Sequence, residues 1–127
     1  MKEIINTKAA PDALGPYNQS VIFEKLVFTS GQIAIDPQTS ELRMETIEEE
    51  TRQVLKNLES ILLASGSRLE NVLSCAVYVK DMNQYERINK VYATYFPSEN
   101  APTRALVEVR NLPKFVNIEI SAIAFKE

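Results

Sequence analysis

Histidine and tryptophan are missing from this 127-residue sequence, which also contains a single cysteine and three glycines. Without histidine there is no Ser-His-Asp triad, no Cys-His pair and no imidazole metal ligand, and the usual proton carrier near neutral pH is missing as well. The lone thiol, Cys75, excludes an intramolecular disulfide and a thiolate-rich zinc or iron–sulfur site. Any chemistry must therefore use carboxylates, arginine, lysine, tyrosine, backbone groups or water.

Positive charge and long apolar runs are also scarce. The chain has 14 Lys and Arg against 17 Asp and Glu, a net charge of −3, which argues against general attraction to the phosphates of a nucleic acid. No apolar run approaches the roughly 20 residues that span a bilayer. The first six residues are too short and too polar to be a signal peptide. We therefore expect a soluble cytoplasmic protein that does not bind membranes, and the charge disfavours nucleic acid as a partner.

The composition that is present is ordinary for a globular protein, with 45% hydrophobic and 24% charged residues. No repeat, low-complexity tract or flexible linker divides the chain, so residues 1–127 are expected to form a single domain. One helix is predicted from the N-cap Thr46, with Glu49 three residues later, to a terminating Gly66. A second is predicted to start at Asp81 and to end before Pro97.

The remaining apolar segments predict strands. They are Ser20–Phe23, Leu26–Ile33, Leu73–Val79, Ala105–Arg110 and Val116–Phe125, with a short additional strand at Lys2–Asn6. The first two of these are joined by Glu24-Lys25, which is typical of a tight hairpin. This order predicts an α+β sandwich in which one mixed β-sheet carries two helices packed on a single face.

Alternation in the last two strands divides their residues between two faces. The face predicted to meet the helices carries Val116, Ile118, Ile120, Ala122 and Ala124 in the last strand and Ala105, Val107 and Val109 in the preceding one. The opposite face carries Arg104, Leu106, Glu119, Ile123 and Phe125. Arg104 and Glu119 are therefore expected to lie together on the far side of the sheet. Because that side also carries several large apolar groups, a second subunit is expected to cover it.

These two charged residues are the main candidates for chemistry, and each also has a simpler interpretation. Arg104 is either a surface arginine at a strand end or a guanidinium held in a crevice, where its planar fork binds a carboxylate bidentately. Glu119 is either an exposed partner in the alternation or, beside an arginine at a subunit interface, a group that positions or deprotonates a water.

Uncharged candidates lie in three other segments. Tyr17 is a packed aromatic residue or a pocket wall with a usable hydroxyl. Ser30 and Gly31 interrupt an apolar strand, which indicates a bulge or a close backbone approach that aims peptide groups at a ligand. Asn89 borders the apolar stripe of the second helix, where a solvated helix edge is the simpler interpretation. Cys75 is interpreted as an inert core thiol.

Taken together, these segments resemble the RidA (YjgF-like) family of reactive-imine deaminases over essentially the whole chain. The motifs that carry the resemblance are Gly15-Pro16-Tyr17-Asn18-Gln19, Ser30-Gly31-Gln32-Ile33, Asn89-Lys90-Val91-Tyr92, Ala101-Pro102-Thr103-Arg104, and Val107-Glu108-Val109 through Leu112-Pro113-Lys114 to Ile118-Glu119-Ile120. Three positions depart from the family pattern: Asn18 stands where serine is commoner, Leu106 where cysteine is frequent, and Ser121 where a second glutamate often follows.

The resemblance implies a chorismate-mutase-like fold assembled as a homotrimer with clefts between subunits. It implies hydrolysis of 2-imino or enamine acids, such as 2-iminobutanoate and 2-iminopropanoate, to 2-keto acids and ammonia, with no metal and no cofactor. By the same resemblance Arg104 would bind the substrate carboxylate and Glu119 would position the attacking water. The residues lining the cleft would be Tyr17, Ser30, Gly31 and Asn89.

Two other functions remain open from the sequence. One is a regulatory trimer whose clefts bind a small carboxylate without catalysis. The other is an endoribonuclease or translation inhibitor, a description that some relatives carry. The sequence pI near 5.1 and the lack of histidine argue against the second alternative.

Overall fold

Six strands and two α-helices organise the chain, and the computed structural model describes all of residues 1–127. The strands are β1 (Glu3–Ile5), β2 (Ser20–Phe23), β3 (Leu26–Thr29), β4 (Val72–Val79), β5 (Thr103–Glu108) and β6 (Ile118–Phe125). The helices are α1 (Ile47–Ala64) and α2 (Tyr85–Tyr95), and short 3₁₀ turns lie at Leu69–Asn71, Met82–Gln84, Ser98–Asn100 and Pro113–Phe115. This element order confirms the α+β prediction, including the short first strand.

One mixed sheet contains all six strands in the order β1-β2-β3-β6-β4-β5. Only β4 and β5 run parallel. A parallel pair needs a crossover connection, and α2 provides it. Ile118, Ile120, Ala122 and Ala124 of β6 are all at most 4% exposed beneath the helices. The sheet therefore has a helix face, which is the core, and an open face without helices.

Local sequence signals explain the ends of α1. The Thr46 hydroxyl accepts a hydrogen bond from the Glu49 amide at 3.1 Å, which satisfies one of the free N–H groups of the first turn. Gly66 adopts φ 79°, a left-handed conformation that favours glycine, and its N–H donates to the Leu63 carbonyl at 3.1 Å. Both predicted ends of this helix are confirmed.

The second helix begins less simply than predicted. Asp81 accepts a hydrogen bond from the Asn83 amide at 2.9 Å, but the turn that it caps is the 3₁₀ segment Met82–Gln84. The α-helix starts only at Tyr85 and ends at Tyr95, two residues before Pro97. This offset by one turn places the Tyr85 side chain at the exposed start of α2 instead of in the core.

The predicted faces of β5 are wrong. The parallel register places Arg104 opposite Cys75, whose side chain lies in the core, so Arg104 is on the helix face. Leu106 also packs against the core, whereas Val107 is 46% exposed on the open face. β5 is an edge strand with apolar residues on both faces, so its alternation alone did not reveal which face α2 covers. The register with β4 shows that Arg104 and Leu106 are on the face covered by the helices and that Val107 is on the open face.

The open face of the sheet is apolar. Its large apolar side chains that are at least 38% exposed include Ile4, Phe23, Leu26, Phe28, Val107 and Ile123. Contiguous exposed apolar surface of this kind typically marks an interaction site. Neither helix has the length and apolar character needed to cross a membrane.

Candidate functional site

A cavity of about 280 Å³, here called the glutamate pocket, opens at one end of the sheet. Its walls are formed by Pro11, Asp12, Ala13, Leu14, Tyr17, Gln19, Ser30, Gly31, Gln32, Ile33, Ile35, Pro113 and Glu119. Four of the residues singled out in the sequence, Tyr17, Ser30, Gly31 and Glu119, are thus brought together. The pocket combines apolar walls with a small number of polar groups, which is typical of small-molecule sites.

A bulge after β3 shapes this pocket. Phe28 pairs with Ile123, and the next bridge joins Gln32 to Ile120, so four steps along one strand match three along the other. The extra residue bows Ser30 and Gly31 out of the pairing, and β3 ends at Thr29 instead of continuing to Ile33 as predicted. The bulge indicated by the glycine is therefore present, and it directs this backbone segment into the pocket.

Gly31 leaves the space that the Glu119 carboxylate occupies, because Glu119 lies directly against it. A Cβ atom placed on Gly31 would lie 2.7 Å from the Glu119 Cδ atom and closer still to one carboxylate oxygen. Any other residue at position 31 would push the carboxylate aside. The glycine therefore fixes where the Glu119 carboxylate can lie.

The Glu119 carboxylate is half-buried and has no hydrogen bond or ion pair within the chain. Burial raises the pKa of this carboxyl above the usual range for glutamate, because the charged form loses hydration. The neighbouring Ser30 hydroxyl donates to the Asn18 carbonyl at 2.5 Å, so its proton is already engaged. Glu119 is thus the free acceptor of the pocket, able to hold a water or a ligand proton.

Gln19 holds the loop that forms the outer wall. Its side chain is 2% exposed, and its amide group bonds Thr7, Ala10 and Pro11 through one accepted and three donated hydrogen bonds of 2.6–3.3 Å. Its backbone carbonyl accepts from the Ser30 backbone amide at 2.9 Å. The side chain of Gln19 thus holds the wall, and its backbone joins the wall to the bulge. The Tyr17 hydroxyl adds a bond by accepting from the Leu14 amide at 3.0 Å.

A second group of polar residues, here called the arginine cluster, consists of Arg104, Asn89, Tyr85 and Tyr92. Arg104 donates from Nη1 to Asn89 Oδ1 at 2.8 Å and from Nη2 to the Tyr85 hydroxyl at 3.1 Å. Its guanidinium carbon lies 4.8 Å from the centre of the Tyr92 ring, a cation–π distance. No ion pair of the chain involves Arg104. The guanidinium is therefore oriented by neutral groups and keeps its charge available for an anion.

The glutamate pocket and the arginine cluster are separate within one chain. Glu119 is on the open face of β6, while Arg104 is on the helix face of β5, two strands away. The expectation that both lie together on the far side of the sheet is therefore wrong, for the reason given above for β5. One small molecule does not reach both groups in a single copy.

Cys75 lies in the core beneath the arginine cluster. Burial raises the pKa of its thiol, against the opposing effects of the Tyr92 hydroxyl and the Arg104 charge. Burial also raises the pKa of the Tyr92 phenol, and Cys75 raises it further. A thiol that is 2% exposed and disfavoured as thiolate is inert, as interpreted from the sequence. The acidic and thiol side chains of the chain form no group of three that is arranged to hold a metal.

Comparison with known proteins places the chain in a family. A family model described as Endoribonuclease L-PSP matches residues 7–126, and a solved structure of the Rid protein family from Yersinia pestis covers 98% of the chain at 40% identity with a TM-score of 0.95. The chain belongs to the RidA (YjgF-like) family. The resemblance stated from the sequence motifs is confirmed.

Two RidA relatives connect this fold to small molecules. The human 2-iminobutanoate/2-iminopropanoate deaminase is 40% identical over 126 residues, which are 99% of this chain and 91% of the human protein. The structure of Escherichia coli TdcF with bound serine is 40% identical, covers 98% of this chain and 99% of its own, and has a TM-score of 0.92. RidA proteins with deaminase names are thus similar to this chain along nearly its full length.

Two features of the site were missed in the sequence. Tyr85 was not singled out, yet it is 39% exposed and accepts a bond from Arg104. Gln19 was named only as the last residue of the motif that begins at Gly15, although its side chain organises the pocket wall. The one-turn delay of α2 and the long-range bonds of Gln19 left no local pattern by which to find them.

Proposed function

We propose that the protein hydrolyses 2-imino acids and their enamine tautomers, such as 2-iminobutanoate and 2-iminopropanoate, to 2-keto acids and ammonia. The observation that carries this proposal is the unneutralised Arg104 guanidinium, which Asn89 and Tyr85 hold in one orientation. Its planar, paired N–H donors match the two oxygens of the carboxylate that every such substrate carries. The name of the human relative and the serine bound to TdcF support a small α-carboxylate as the ligand.

In the proposed mechanism Arg104 binds the substrate carboxylate and Glu119 orients a water toward C2 of the imine. The water oxygen bonds to C2, its proton passes by way of Glu119 to the nitrogen, and the resulting carbinolamine loses ammonia as the C=O bond forms. The reaction consumes one water and needs no strong nucleophile, because a protonated imine is already electrophilic. Orientation and electrostatic stabilisation are the contributions left to the protein. Tyr17, Ser30 and Gly31 shape the wall around the water.

The proposal includes a second copy of the chain at each site. Because Arg104 and Glu119 lie on opposite faces of the sheet, we propose that the arginine cluster of one copy meets the glutamate pocket of the next in a homotrimer located in the cytoplasm. The apolar open face supports this assembly, since burying its exposed side chains against other copies removes them from water. Sedimentation equilibrium should give three times the 14.4 kDa chain mass. A stable monomer would contradict the assembly.

The deciding experiment is an imine-coupled assay of the wild type beside Arg104→Ala. An amino-acid oxidase supplies the imine, and keto-acid release is measured against the uncatalysed rate. Loss of a bidentate carboxylate contact should lower kcat/KM at least about 10²-fold. Circular dichroism and sedimentation should match the wild type, because Arg104 lies outside the buried core. Unchanged hydrolysis in the variant would remove Arg104 from the mechanism.

The same assay separates the alternatives. A regulatory carboxylate-binding trimer would bind keto acids saturably and give no rate above background. Endoribonuclease activity is suggested by the description of the family model, while the net charge of −3 argues against it. RNA cleavage that persists through purification and disappears in Arg104→Ala would favour that alternative over imine hydrolysis.

A further inference from the structure

Tyr85 has no role in the core that would explain an aromatic residue at the start of α2. The residues by which α2 contributes to the core are Ile88, Val91 and Tyr92, each at most 7% exposed. Tyr85 is 39% exposed, and its ring centre lies 5.7 Å from the Arg104 guanidinium carbon, farther than that of Tyr92. What Tyr85 adds to the cluster is its hydroxyl.

That hydroxyl uses only half of its hydrogen-bonding capacity. Its oxygen accepts from Arg104 Nη2 at 3.1 Å, and no acceptor in the chain takes its proton. A phenol that accepts from a cation becomes a stronger donor, because hydrogen bonds in a chain polarise one another. Tyr85 therefore presents a free O–H beside a guanidinium whose remaining N–H groups are also free.

We propose that Tyr85 is a substrate-binding residue whose hydroxyl donates to the α-carboxylate bound by Arg104. This inference rests on the proposed function and extends it. Two donors of different kind, a guanidinium fork and a phenol, then hold one carboxylate, and the site selects for anionic α-substituted acids over neutral analogues. Asn89 positions the guanidinium from its other side by accepting from Nη1.

The test is Tyr85→Phe, which keeps the ring and removes only the hydroxyl. KM for the imine should rise about fivefold to tenfold, while kcat changes less than about twofold, since the carboxylate is bound equally in the ground and transition states. The dissociation constant of 2-oxobutanoate, measured by calorimetry, should rise by the same factor. Tyr95→Phe is the matched control, because Tyr95 lies at the other end of α2, and neither constant should change.

The two measurements keep this inference distinct from the proposed function. Wild type that binds 2-oxobutanoate without hydrolysing imines would end the proposed function, and the binding constants of Tyr85→Phe would still decide the role of Tyr85. A change below twofold in both KM and the dissociation constant would overturn that role. A loss confined to kcat would also overturn the role of Tyr85, and so would a wild-type protein with no affinity for 2-oxobutanoate.

Discussion

The glutamate pocket and the arginine cluster differ in how the chain constructs them. The pocket is made by backbone: a bulge, a glycine against Glu119, and a loop held by one buried glutamine. The cluster is made by side chains: the Arg104 guanidinium is oriented by the side-chain amide of Asn89 and by two tyrosines. One region leaves a carboxylate unpartnered and the other leaves a cation unneutralised. Each would complete the other, and the sheet keeps them apart within one copy.

The largest predicted effect is complementation between two inactive variants, Arg104→Ala and Glu119→Gln. In a ring of identical copies each site takes Arg104 from one copy and Glu119 from its neighbour. Random co-assembly gives either variant at each position with equal chance, so about one quarter of the sites receive both native residues. Co-expressed chains should therefore show about one quarter of wild-type kcat, measured in the imine-coupled assay.

The separate variants are the control, and each alone should remain near the uncatalysed rate. Mixing of purified trimers that do not exchange subunits should also restore nothing. Activity that stays at background in the co-expressed sample, with mixed oligomers shown by mass spectrometry, would mean that both residues act from the same copy or that one does not act at all.

A smaller effect is expected from Gly31→Ala, which alters only the pocket. The added methyl group occupies the place of the Glu119 carboxylate, and a displacement of about 1 Å in a reacting group costs on the order of 10²-fold in rate. The loss should appear in kcat, with KM nearly constant, because the arginine cluster still binds the carboxylate. Gly15→Ala is the matched control, since a Cβ there meets the Tyr17 ring at an ordinary 3.7 Å.

Steady-state kinetics of both glycine variants checks this division of roles. Equal losses at positions 15 and 31 would show that the close approach to Glu119 is not what matters. A rise in KM for Gly31→Ala would show that the pocket contributes to carboxylate binding.

The sequence predicted most of the fold because its strands and helices are specified locally. Thr46 and Gly66 mark the ends of α1, and the alternation of β6 separates Glu119 from its buried neighbours without ambiguity. The faces of β5 were not predictable in this way, because Leu106 and Val107 are both apolar and the strand pairs on one side only. Its orientation depends on the register with β4, which is a long-range property.

The candidate site shows the same limit. Four members of the pocket, Tyr17, Ser30, Gly31 and Glu119, were named from short motifs, and the glycine interruption indicated the bulge. Tyr85 and Gln19 act through partners 19 residues and 8–13 residues away in sequence, and these partners have no fixed spacing that a motif records. Residues within recognisable motifs could be named from the sequence, whereas Tyr85 and Gln19, whose partners are distant along the chain, required the structure.

The smallest predicted effect compares stability with activity at Glu119. Burial raises the pKa of this carboxyl in the folded chain, so the folded state binds a proton more readily than the unfolded state. Ionisation of Glu119 therefore lowers the stability of the folded chain. At low pH the carboxyl is protonated in both states and there is no loss of stability. The loss grows as the pH rises from the unfolded pKa to the folded pKa, and it is complete above the folded pKa. Glu119→Gln removes this loss. In the Arg104→Ala background, where no guanidinium of a neighbouring copy stabilises the carboxylate, the Tm of the chain with Glu119→Gln should exceed that of its parent near pH 7 and match it near about pH 3.

Scanning calorimetry at the two pH values tests this, with exposed Glu99→Gln as the control for the change in net charge. A Tm difference for Glu119→Gln that is the same at both pH values, or the same as for Glu99→Gln, would show that burial of the carboxylate costs nothing. A gain in stability from Glu119→Gln, together with the loss of kcat that this substitution causes, would show instead that activity needs a carboxylate whose burial destabilises the folded chain. The arginine cluster offers no such trade-off at Asn89 or Tyr85, because its orienting groups are uncharged, and removing them should not stabilise the chain at either pH.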